Sequence, residues 1–143
     1  MEACYDFYFL LEYLFSDGQF KADKVKKKFQ ASPELQEAIQ KVLDDSEIMQ
    51  SLQGISKQKY QEFLEGKSPR EISDFFVELR GRIHHQSKKN KKTWHPANQQ
   101  GFKFEGELFT QVCFHLMMKT ATDLMYGENV DLGSIKTFRK VSG

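Results

Sequence analysis

The chain has 143 residues and a mass of 16.7 kDa, enough for one hydrophobic core and too short for two of ordinary size. Apolar residues make up 39% and charged residues 29%, with a formal net charge of +1, a balance that supports folding rather than disorder. Thirteen Phe against nine Gly and three Pro leave few chain breakers, which disfavours a turn-rich β-sandwich or barrel and favours long helices.

Residues 2–16 read as a first helix that is aromatic or aliphatic around most of its circumference, and so belongs in the core or an interface. Its apolar stretch, residues 7–15, is broken by Glu12 and is far shorter than the roughly 20 residues of a membrane span. Glu2 and Asp6, with no basic leader, argue against a secretory signal and for a cytoplasmic protein without membrane partners. Asp17-Gly18 closes the helix. Residues 20–30 carry Phe20, Val25 and Phe29 among lysines, a weaker and more exposed helical pattern. Ser32-Pro33-Glu34 is a helix start, followed by Leu35, Ala38, Ile39, Val42 and Leu43 at helical spacing. A short piece over residues 48–52 ends at Gly54, and Ser56 caps a further helix bearing Tyr60, Phe63 and Leu64.

The clearest start signal is Ser68-Pro69-Arg70-Glu71, with an N-cap Ser, a Pro at the first position and a Glu placed for a capping box. The helix it opens bears Ile72, Phe75, Phe76, Leu79 and Ile83 as one narrow apolar stripe. Residues 88–100 are polar, contain Pro96 and read as a loop. Phe102 or Phe104 opens a last long helix with Leu108, Phe109, Val112, Leu116, Met117 and Leu124 inward, and the Met117-Met118 pair as core filler. No stretch alternates in the way a sheet demands. The expectation is an all-α bundle of about five to six helices over residues 1–127, with residues 128–143 as a tail or docked extension. Cys4 and Cys113 each fall in an apolar helical pattern and read as reduced core residues.

The near-neutral net charge hides a segregation. Between residues 79 and 104 stand seven basic residues (Arg80, Arg82, Lys88, Lys89, Lys91, Lys92, Lys103) and no acidic one, so the remainder holds 14 basic and 20 acidic residues. Three of the four His, His84, His85 and His95, fall in the same window. Such a patch attracts polyanions, and it also suits a solvated loop; charge alone leaves both readings open. With the centre of the apolar stripe at 0°, Arg80 falls near +80°, Arg82 near −80°, His84 near +120° and His85 near −140°, all about 100° per residue. The two Arg flank the apolar face and the two His point away from it. Imidazole exchanges protons near neutral pH, and guanidinium matches a phosphate with forked donors. Together on one phosphate they form a minimal kit for cleaving RNA without a metal.

The segment Leu79-Arg80-Gly81-Arg82-Ile83-His84-His85 resembles the Arg–four residues–His signature of the HEPN superfamily, small helical bundles of which many cleave RNA in bacterial defence and toxin systems. An apolar helix before the motif, a polar loop with Trp94-His95-Pro96 after it and a long closing helix extend the resemblance over most of residues 2–127. It implies Arg80 and His85 as the catalytic pair, no cofactor or metal, and RNA as substrate. Arg82, His84, Lys88, Lys89, Lys91 and Lys92 would then contact that substrate. It also implies a homodimer whose paired motif helices form a composite cleft, with the bulky first helix as extra interface, and a sensor domain or partner protein as a further possibility. Family members carry a polar residue after the motif Arg; Gly81 stands there in this chain, and a Tyr two residues after the motif His, usual in toxins paired with nucleotidyltransferase antitoxins, is replaced by Ser87.

Other chemistries have less support. His84, His85, His95, Cys4 and Cys113 lack the paired spacing of zinc ligands. Trp94-His95-Pro96 suits a loop anchor better than a base-stacking platform. No Gly-rich phosphate loop and no nucleophile elbow is present. A non-catalytic nucleic-acid- or protein-binding module remains the alternative to a nuclease.

Overall fold

The structure, a computed structural model, describes residues 2–89 and 101–126. Among them there are seven α-helices and no strand: α1 (Glu2–Phe15), α2 (Ala22–Ala31), α3 (Pro33–Asp44), α4 (Ser46–Ile55), α5 (Lys57–Phe63), α6 (Pro69–Lys89) and α7 (Lys103–Tyr126). The protein is an all-α bundle, as its patterning predicts. None of the described helices is long and apolar enough to cross a membrane. The extension at residues 128–143 lies outside the described residues.

Local chemistry sets the helix starts. The Ser32 hydroxyl accepts from the Leu35 N–H with Pro33 at the first helical position, and Ser56 caps α5 through the Lys59 N–H. Asp45, which the sequence pattern did not single out, accepts from the N–H groups of Glu47 and Ile48 at 3.0 and 3.1 Å. At α6 the capping box closes in both directions: the Glu71 N–H donates to the Ser68 hydroxyl, and the Ser68 N–H donates back to the Glu71 carboxylate at 2.8 Å. The Ser68 N–H and then the Ser68 hydroxyl, both donating to the Glu71 carboxylate, hold its carboxyl below the ordinary range. Asp17 and Gly18 both take positive φ and turn the chain out of α1.

Helix α6 packs on α2 and α3, α7 on α1, α3 and α4, and α1 also touches α2 and α6. Ile72, Phe75, Phe76 and Leu79 are buried, as their stripe predicts. The Phe76 and Phe109 rings meet at 4.5 Å, and Tyr8 reaches across from α1 to Phe109 at 6.5 Å and Phe29 at 6.3 Å. Cys4 and Cys113 are buried free thiols. Burial pushes both up, Cys113 to about 11. Native protein at pH 8 should therefore alkylate at Cys113 roughly 100-fold more slowly than unfolded protein. Equal rates, followed by mass spectrometry, would show that the α1–α7 contact opens.

Three expectations need correction. Helix α2 begins at Ala22, so Phe20 precedes it and is 73% exposed. Helix α6 runs on to Lys89, because Gln and Lys are good helix formers and no Gly or Pro stands between Gly81 and Pro96. On α7, Leu108, Phe109 and Val112 are buried and Leu116 half-buried, but Met117 (65%), Met118 (50%) and Leu124 (50%) are exposed. The far half of α7 therefore carries apolar side chains that no described element covers, and Met117-Met118 does not fill the core.

Helix α6 passes through Gly81 as a single helix, and a methyl added there would meet nothing within 4 Å. Gly81→Ala should stabilise the fold by about 0.5–1 kcal/mol, seen as a rise in Tm. A fall in Tm would mean that the backbone needs glycine at this point.

Candidate active site

Arg80 lies on the flank of α6 that faces α1. Its Nη1 stands 3.5 Å from Glu12 Oε1, donates to the Phe20 carbonyl at 3.4 Å, and its Cζ lies 5.7 Å from the centre of the Tyr8 ring. The guanidinium is thus fixed by one helix and the turn that follows it, yet its side chain stays 30% exposed. Among the described residues its hydrogen bond to the Phe20 carbonyl and its ion pair with Glu12 both use Nη1. The Glu12 carboxylate is mostly buried, and its Oε2 has no hydrogen-bond partner among the described residues. Without Arg80 it would be an uncompensated charge. The Tyr8 hydroxyl is close enough to feel both partners but meets neither in hydrogen-bonding geometry. Burial, then the Glu12 charge, pushes it far above the usual phenol range, so it stays protonated.

Arg82 leaves α6 on the other flank, as the spacing predicts. It is exposed, with its Cζ 6.0 Å above the Phe63 ring, and Phe63 in turn stacks on Phe75 at 4.3 Å. His84, His85, Lys88 and Lys89 occupy the last turns of α6, and their side chains lie outside the described residues. Lys91, Lys92, Trp94, His95 and Pro96 lie outside them altogether. The structure thus brings Arg80 together with Glu12 and Tyr8, and separates it from Arg82.

Two acidic partners were not anticipated. Glu12 had a signal, since a lone carboxylate inside an apolar run requires a cation from elsewhere in the fold. Glu105, in the first turn of α7, is buried and accepts from Lys59 Nζ at 2.6 Å, while the same ammonium donates to the Gly101 carbonyl at 2.6 Å. No group of three or more His, Cys, Asp or Glu placed to hold a metal ion occurs among the described residues. Compared with family models, with curated proteins and with solved structures, the chain matches none.

Proposed function

We propose that this protein is a metal-independent endoribonuclease of the HEPN type, acting in the cytoplasm within a defence or toxin system. The observation that carries the reading is Arg80: a partly exposed guanidinium, held at Nη1 by Glu12 and the Phe20 carbonyl, at the head of a basic, His-bearing helix end. His85 follows about a turn and a half later on the same helix. In this reading His85 takes the proton from a ribose 2′-hydroxyl, the 2′-oxygen attacks the adjacent phosphorus to close a 2′,3′-cyclic phosphate, and the P–O5′ bond breaks as the 5′-oxygen takes a proton from the imidazolium so formed. The Arg80 guanidinium holds the negative charge that builds on the phosphoryl oxygens. In a straight helix the two side chains diverge by about 140°, which two copies of the motif helix in a homodimer resolve by facing each other across one cleft. Arg82, His84, Lys88, Lys89, Lys91 and Lys92 would line the path of the RNA backbone. The test is incubation with end-labelled RNA with and without a chelator. Cleavage that persists in chelator supports the reading, and no cleavage in either condition moves the assignment to a binding module.

One observation favours that second reading. Arg80 already has three intramolecular contacts, as a residue that ties α6 to α1 would. A binding module would keep its RNA affinity in the His85→Ala variant and lose it steeply with added salt.

A further inference from the structure

Between α1 and the far half of α7 lies a groove of about 560 Å³, lined in part by Leu10, Leu14, Cys113, Met117, Ala121 and Leu124. Leu10, Leu14, Met117 and Leu124 are exposed, an apolar surface that gains by leaving water. Glu34, Lys119 and Asp123 border it. The Lys119 ammonium is taken by Glu37 at 3.1 Å, whereas Glu34 and Asp123 have no ion pair among the described residues. The groove is thus apolar within and acidic at its border, which suits an occupant with one apolar and one basic face. On α1, Leu10 and Leu14 each lie about 160° round the helix from Glu12, which faces Arg80, so the groove opens away from the candidate active site.

We propose that residues 127–143 fold back as a short helix into this groove, setting Ile135, Phe138 and Val141 against Leu10, Leu14, Met117 and Leu124. This docking is independent of the nuclease chemistry. The segment begins directly after Tyr126, where α7 ends, close to Leu124 in the groove. Ser134 suits an N-cap. With Ile135 at 0°, Phe138 falls near −60° and Val141 near −120°, all at about 100° per residue. Arg139, Lys136 and Lys140 fall near +40°, +100° and +140° on the same count. One face is therefore apolar and the other basic, the complement of the groove and its border. The lengths agree as well: residues 134–142 as a helix span about 13 Å, and Cys113 to Leu124 on α7 span about 16 Å. Residues 127–133, with Gly127 and Gly133, make a connection of ordinary length for two antiparallel helices. A tethered segment meets the groove at an effective concentration on the order of mM. A second copy lacks that advantage, and its own groove would set acidic border against acidic border.

The test is NMR on the full chain, with differently labelled copies mixed so that contacts within one copy are told from contacts between two. Within one copy, the Phe138 ring protons should show nuclear Overhauser contacts to the methyl groups of Leu10, Leu14, Met117 and Leu124. Phe138→Asp should raise amide exchange over residues 135–141 at least about tenfold, the effect of uncovering one buried apolar side chain. It should also shift those four methyl signals and leave the signals of α6 in place. Met117→Asp, on the groove side, should release the segment in the same way, and because Met117 is exposed the change removes no core packing. Contacts found only between copies would put a second copy in the groove and overturn the docking. The absence of any contact, or exchange rates that neither variant changes, would overturn it too.

Discussion

His85→Ala should lower RNA cleavage by a factor of about 10²–10⁴, the usual worth of a positioned acid–base group, while leaving helicity unchanged. The position is near the end of α6, beyond the buried stripe that ends at Leu79 among the described side chains. Arg80 needs a subtler substitution. Alanine there would remove the proposed transition-state cation and also leave the Glu12 carboxylate buried without its partner, so lost activity would be confounded with lost stability. Arg80→Lys keeps a positive charge near Glu12 and removes the fork. It should cut cleavage by about 10²–10³ with a much smaller change in Tm. Combining Arg80→Lys with His85→Ala should cost little more than the worse single change, because groups that act as a unit are not additive. Cleavage unchanged in both single variants would remove these residues from the chemistry.

Phe76→Ala should destabilise the bundle by about 3–5 kcal/mol, a large part of the 5–15 kcal/mol or so that holds a domain of this size. Phe76 is fully buried, lies 4.5 Å from Phe109 and 6.4 Å from Phe75, and stands on the helix that packs against both α2 and α3. Removing the ring opens a void at the junction of these helices and of α7. The matched control is Phe114→Ala, at a ring that is 51% exposed, where the change should stay within about 0.5 kcal/mol. Urea denaturation reads both, with a lowered midpoint and an unchanged slope for Phe76→Ala. A loss below 1 kcal/mol would mean that this part of the core repacks.

The helices themselves were legible because their signals are local. Ser32-Pro33 and Ser68–Glu71 carry their own hydrogen-bonding partners within one turn, and Ile72, Phe75, Phe76 and Leu79 repeat on one face. The all-α class follows from these alone. The far half of α7 was not legible, because periodicity shows which residues share a face and not whether another element covers it; Met117 and Leu124 share a face that the described fold leaves open. The site divides in the same way. The divergence of Arg80 and Arg82 is a property of one helix and was read from spacing. The ties of Arg80 to Glu12 and of Lys59 to Glu105 join residues far apart in the chain, and a single sequence holds only half a hint of them, in a carboxylate placed where its neighbours are apolar.

The most direct measurement is a crystal structure of the full chain with an RNA carrying a 2′-deoxy substitution at the cleavage position, which cannot be cut. The account predicts one phosphate with the Arg80 guanidinium and the His85 imidazole both within hydrogen-bonding reach, contributed by one copy or by two facing copies. A phosphate bound elsewhere, with those two groups splayed into solvent and far from any subunit contact, would contradict it.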